Sequence, residues 1–207
     1  MPPAPVAGEA RMIEIFLAGG PVMYPLSLCS VLALAAILRQ TLVWARVQRG
    51  RRPDLVARLL QEPTPREPGC PPSPDIVARV LMDGSRHPPT EAGVHMRGYA
   101  HTEMQAVERG VGIIRALVTL TPLLGIFGTV LGIVESFQLL GSAQLLDPTV
   151  ASGGLAKALI TTAFGLAIAM ISFVAHCIFQ TKALALWQEL EHRCNQLQAR
   201  LYATGGS

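Results

Sequence analysis

The chain has 207 residues, of which 50% are hydrophobic and only 15% are charged. Soluble globular domains carry about 25% charged residues, so this composition, with a mean hydropathy of +0.39, points to an integral membrane protein and away from a soluble enzyme. A net charge of +3 is too small to indicate nucleic-acid binding, and no nucleic acid is expected as a partner.

Taken in order, residues 1–20 form an N-terminal segment, assigned to the periplasmic side. Three prolines in its first ten positions favour disorder, and residues 11–17 have the pattern of a short interfacial amphipathic helix. Gly19-Gly20-Pro21 breaks the chain before a first apolar span at 21–44. The basic cluster Arg46, Arg49, Arg51 and Arg52 follows that span rather than preceding it. This is the pattern of a retained anchor rather than a cleaved signal, and it puts the following segment in the cytoplasm.

Residues 45–112 form that cytoplasmic segment. Pro53-Asp54 opens a short helix over 55–60. Six prolines in 62–74 mark a linker, and Ser73-Pro74-Asp75 starts a helix running through Met82. Pro88-Pro89-Thr90-Glu91 starts another, which is expected to run unbroken into the membrane. Its sparse apolar positions (Val94, Met96, Tyr99, Met104, Val107) suit a half-buried helix packing against neighbouring copies. His95, His101 and His192 read as ordinary cytoplasmic residues without metal spacing. Cys29, Cys70, Cys177 and Cys194 form no CxxC pair and are expected as free thiols.

The second span covers 113–140, with Arg115 near its cytoplasmic mouth and Glu135 near its outer end. Pro122 removes a backbone hydrogen bond inside it and predicts a kink. The outer loop, 141–148, has no basic residue, and Asp147-Pro148 is a good helix start, Asp as N-cap and Pro at N1. The third span covers 149–180, and a polar cytoplasmic helix and tail follow at 181–207. About 20 apolar helical residues cross a bilayer core, and all three spans reach that length.

The residues that interrupt the apolar runs carry the functional signal. At 100° per residue, Thr121, Gly125, Gly128, Gly132 and Glu135 share one narrow face of the second span, with Thr129 at its edge. On the third span Lys157, Thr161, Gly165, Ala169, Ser172 and His176 share a broader face, with Thr162 at its rim. Leu159, Ile160, Phe164, Leu166, Met170 and Ile171 lie outside it. Glycines on such faces allow close helix packing and hydroxyls bond across the interface. Intramembrane ionisable groups are costly and generally functional, which packing alone does not explain. Lys157 lies about nine residues into its helix, roughly 14 Å along it, a depth comparable to that of Glu135 on the antiparallel neighbour. Either the two charges meet, or each snorkels separately toward the outer headgroups. His176 is open to two roles as well, a titratable shuttle or a structural hydrogen bond.

The stretch Thr121-Pro122-Leu-Leu-Gly125-Ile-Phe-Gly128-Thr129-Val-Leu-Gly132-Ile-Val-Glu135, followed by Gly154-Leu-Ala-Lys157-Ala158-Leu-Ile-Thr161-Thr162-Ala163-Phe-Gly165, resembles the MotA/TolQ/ExbB proton-channel family. Three spans rather than four favour its ExbB/TolQ branch. The resemblance implies an all-α membrane protein of the bacterial inner membrane, with long cytoplasmic helical extensions. It implies a homo-pentameric bundle around a central pore, which holds an ExbD- or TolR-like single-span subunit bearing a membrane aspartate. Proton-motive force would then drive motion delivered to a TonB- or TolA-like periplasmic protein. TonB-dependent import is favoured over Tol-type envelope maintenance and over a gliding or motility motor. Thr129 and Thr162 match the family's two threonines, and Thr121, Thr161, Glu135 and Lys157 join them as expected pore or proton-pathway residues. Gly125, Gly128, Gly132 and Gly165 are expected in helix packing. At Lys157 the family commonly has a glutamate, and this departure keeps open a non-conducting assembly scaffold. No cofactor, metal or enzymatic activity is expected.

Overall fold

The computed structural model describes residues 19–61, 73–142 and 148–205. The expected interfacial helix at 11–17, the centre of the Pro-rich linker and the Asp147 cap lie outside these. Five helices are described: α1 (Met23–Arg49), α2 (Pro53–Gln61), α3 (Ile76–Gly84), α4 (Pro89–Ser142) and α5 (Pro148–Gly205). Three of them, α1, α4 and α5, are long and apolar enough to cross a membrane. At 54 and 58 residues, α4 and α5 are well over twice the length a crossing needs. The helices start where the sequence places the signals. Pro89 occupies the first position of α4, and the Pro88 carbonyl accepts from the amides of Glu91 and Ala92 at 2.9 Å. α4 continues through Pro122.

The chain divides into two units, each containing parts of α1, α4 and α5. The apolar unit comprises residues 1–37 and 113–176. Here Val22, just before α1, and Met23, Leu26, Cys29 and Ala33 of α1 pack with Leu117, Leu124 and Ile168. Large side chains point outward on all three helices, among them Val31, Phe127, Phe137, Met170 and Ile171. An apolar exterior of this extent has no place in water but suits lipid or neighbouring helices. Leu159, Phe164 and Leu166 are exposed as well.

The polar unit comprises residues 38–112 and 177–207. α4 buries Ala92, Met96, Ala100, Met104, Val107 and Val111. α5 buries Phe179, Ala183, Leu186, Leu190, Cys194 and Leu197. Both sets recur every three or four residues, the period of a helix–helix seam. The helices run antiparallel, since Gly93 packs on Gln198 while His101 meets Trp187 edge-on. Of the apolar positions read on α4, Met96, Met104 and Val107 are buried while Val94 and Tyr99 are exposed, and the alanines fill the seam within one chain.

α2 and α3 pack through Val56, Leu59 and Leu60 and through Ile76, Val77, Val80 and Leu81, which are buried. Asp75 joins them. Its carboxylate accepts from Val77 N at 2.9 Å, capping α3, and from Arg52 N at 2.6 Å, beside the start of α2. Gln40 of α1 is buried, and its Nε2 donates to the Val107 carbonyl at 2.8 Å, against Gly110. Arg79 pairs with Glu103 at 2.6 Å.

Candidate functional site

In the apolar unit α4 and α5 run antiparallel and meet along small residues. Gly165 lies against the Thr121 carbonyl and Gly125, and Gly125 against Thr161 and Thr162. Gly128 lies against Thr161, Gly132 against Ala158 and Gly154, and Gly154 against Ser136. A Cβ on Gly165 would fall 2.6 Å from the Thr121 carbonyl oxygen, and one on Gly132 would fall 2.9 Å from the Ala158 Cβ. Neither neighbour is a flexible chain end, so the helices can be this close only with glycine at these positions. The structure thus puts Gly125, Gly128, Gly132 and Gly165 in one seam. Ser136, whose hydroxyl donates to the Gly132 carbonyl at 2.8 Å, extends it by a turn. Sequence reading ended the stripe at Glu135 and so missed Ser136. The i+4 spacing from Gly132 was the available signal.

The hydroxyls divide into two groups. Thr121 and Thr161 are fully buried in the seam and donate back to the carbonyls of Leu117 at 2.9 Å and Ala158 at 2.8 Å. Within one chain both hydroxyls are thus closed into the α4/α5 seam. Thr129 and Thr162 are half-buried. Thr129 Oγ1 donates to the Ile126 carbonyl at 2.6 Å, whereas Thr162 Oγ1 crosses from α5 to the Gly125 carbonyl of α4 at 3.0 Å. Each hydroxyl keeps lone pairs to accept a further bond, and rotation would turn either into a donor elsewhere.

The two charges of the apolar unit's facing stripes meet. Lys157 Nζ donates to Glu135 Oε2 at 2.6 Å, with the lysine side chain 24% exposed and the glutamate 51%. Of the two sequence readings, separate snorkelling is therefore not what the structure adopts. Gly20 fixes the lysine from the other side. Its φ of 70° lies in the left-handed region, and the Lys157 stem occupies the space a Cβ there would need. Gly20, in the break before α1, thus packs against the lysine of the ion pair. Further along α5, Ser172 Oγ and His176 Nδ1 are buried without a hydrogen-bond partner among the described residues. They lie one turn apart on the same face, where a water or an incoming polar group would satisfy both.

The sequence profile of the MotA/TolQ/ExbB proton channel family matches residues 73–192, which span the polar and apolar parts of α4 and α5 alike. The chain belongs to this family. An ExbB-like biopolymer transport protein (ExbB-like 1) of Synechocystis is 32% identical over 84% of this chain and 73% of its own length. A second from the same organism, ExbB-like 3, is 27% identical over 88% of this chain and 91% of its own. The biopolymer transport protein ExbB of Salmonella typhimurium is 38% identical over a shorter stretch, 34% of this chain and 29% of its own. These likenesses put the chain in the ExbB/TolQ branch. With its three apolar helices, it is a multi-pass inner-membrane protein of a proton-channel family.

Proposed function

We propose that the chain is an ExbB/TolQ-like motor subunit that couples proton-motive force to work on a periplasm-spanning protein. In this reading five copies surround a pore lined by α4 and α5, and the pore holds the span of an ExbD/TolR-like partner with a membrane acid. The N-terminus is periplasmic and the C-terminus cytoplasmic, supported by the arginine cluster at Arg46, Arg49, Arg51 and Arg52. TonB-dependent import is the favoured process, with Tol-type envelope maintenance or a motility motor as alternatives.

The observation that carries the reading is what the seam leaves over. The glycines, Thr121 and Thr161 are used up in holding α4 to α5. Thr129, Thr162, Glu135 and Lys157 remain partly accessible in an otherwise apolar shell. Lipid offers such groups nothing, and a charge at mid-bilayer costs about 2.5–3.5 kcal/mol even on insertion scales. A polar lumen or a partner helix is the environment that suits them. Neither threonine supplies a carboxylate, so the proton-carrying acid is assigned to the partner, and the two threonines serve as relay or water-holding groups.

The Glu135–Lys157 pair also favours a second reading, a non-conducting scaffold in which a closed ion pair replaces the glutamate commonly found in the family. Proton flux into proteoliposomes holding the chain with its single-span partner separates the two. The motor reading predicts flux that falls in the double variant Thr129→Val/Thr162→Val with assembly intact. Flux absent from the intact wild-type assembly would establish the scaffold reading.

A further inference from the structure

Asp83, His87 and His95 stand together in the polar unit, apart from every residue the motor reading uses. Each offers one ligand atom, a carboxylate oxygen or an imidazole nitrogen, and the three atoms lie within 4.8 Å of one another. Asp83 is in the last turn of α3, His87 is in the turn that follows, and His95 is in the second turn of α4. Asp83 and His87 are half-buried and His95 is exposed. The two imidazoles are stacked, with centroids 3.6 Å apart and planes 5° from parallel.

The backbone beneath this cluster is held by contacts of its own. The amides of Ser85, Arg86 and His87 donate to the carbonyls of Leu81, Asp83 and Gly84 at 3.0, 3.1 and 3.2 Å. Pro88 and Pro89 then restrict the chain leaving the turn. Gly84, next to Asp83, lies so close to the fully buried Met96 that the methionine side chain fills the space of a Cβ. Met96 is in turn the neighbour of His95. The segments bearing the three ligands are thus packed onto each other by residues that are not ligands.

We infer that Asp83, His87 and His95 form a binding site for a first-row divalent metal ion, with Zn²⁺ the best fit. Two imidazole nitrogens and one carboxylate oxygen are a borderline donor set that suits zinc, and zinc imposes little geometric demand of its own. Bonds of about 2.0–2.2 Å at tetrahedral angles need donors roughly 3.4 Å apart. The in-plane lone pairs of two parallel rings do not converge, so ligation takes rotation of the exposed His95 out of the stack together with closure from the present spacing. The fourth position is open to water. The bound ion ties the end of α3 to the start of α4 and braces that corner of the polar unit. Spacings of four and eight residues across a helix–turn–helix match no linear metal motif, so the histidines gave no metal signal in the sequence.

The test uses the untagged full-length chain purified in detergent, titrated with Zn²⁺ alone by calorimetry and with Co²⁺ by visible absorption. The expected result is one Zn²⁺ per chain, a raised Tm with the metal, and cobalt d–d bands without a thiolate charge-transfer band. Affinity should fall at least about tenfold in His95→Ala and in Asp83→Asn, since even outer-shell partners of a metal ligand are worth 10–100-fold. His95 is exposed, so its variant keeps the fold, and circular dichroism verifies this. The inference is overturned if the wild type binds no Zn²⁺ or if His95→Ala binds it as tightly as the wild type. A thiolate-to-cobalt band, showing that cysteines take the ion, would overturn it too. None of these outcomes depends on whether the chain conducts protons.

Discussion

In the apolar unit the smallest side chains are buried and many of the largest are exposed. Gly125, Gly128, Gly132 and Gly165 line the α4/α5 seam while Phe127, Met170 and Ile171 point outward. In the polar unit the same two helices do the reverse. Met96, Leu186, Leu190 and Leu197 are buried, and the surface carries ion pairs such as Arg51–Glu189. The difference follows from the solvent. Water drives large apolar groups together, whereas lipid does not, so within the membrane close approach, dispersion and interhelical hydrogen bonds must hold helices together.

If that contrast is right, substitutions that enlarge and substitutions that shrink should have opposite tolerance in the two units. The largest effect is expected for Gly165→Leu, which drives a branched side chain into the Thr121 carbonyl and the Gly125 backbone. Strain above the usual 1–3 kcal/mol of overpacking is expected, read as loss of monodisperse protein in detergent. Next is Leu190→Ala in the polar unit, where a cavity costs about 2–5 kcal/mol, measured as a lower midpoint of thermal or denaturant unfolding. Asp75→Ala should cost about 1–2 kcal/mol through loss of the α3 cap, and protease sensitivity near the α2–α3 connection reports it. Arg51→Ala removes a pair that is 46% and 32% exposed. It should change stability by less than about 1 kcal/mol, which distinguishes surface charge from core.

Alkaline pH probes the same polar core. Burial pushes the Cys194 thiol up to about 11 from the ordinary 9.0. A raised folded-state value means the folded chain holds its proton where the unfolded chain has lost it. The contribution of Cys194 is therefore complete below pH 9 and is lost as pH rises toward 11. Unfolding midpoints should fall over that window and should fall less in Cys194→Ala.

Much of this was legible in the sequence. The caps and prolines place the starts of α3, α4 and α5, and glycine periodicity identifies the facing stripes of the two spans. Equal depth from the outer ends made the Glu135–Lys157 contact one of two readable options. What was not legible depends on which neighbour a side chain meets. The 100° wheel puts Thr129 about 80° from Thr121, at the edge of the stripe, but how far α5 covers that edge is not in the wheel: Thr121 is closed inside the seam and Thr129 stays half-open. The alanines at 92 and 100 were passed over because a small residue gives no hydrophobic signal until its partner is known. Ser73-Pro74-Asp75 marks a helix start in the sequence, but the second bond of Asp75, to Arg52 N across the Pro-rich linker, has no local signal. Gln40 is a buried amide whose partner lies far along the chain, so no local pattern announced it.

The most direct test of the motor reading is the native mass of the detergent-purified chain, alone and co-expressed with its candidate single-span partner carrying a membrane aspartate. The account predicts a pentamer of 22.1 kDa chains that takes up the partner. A monomer or dimer that ignores the partner would contradict it.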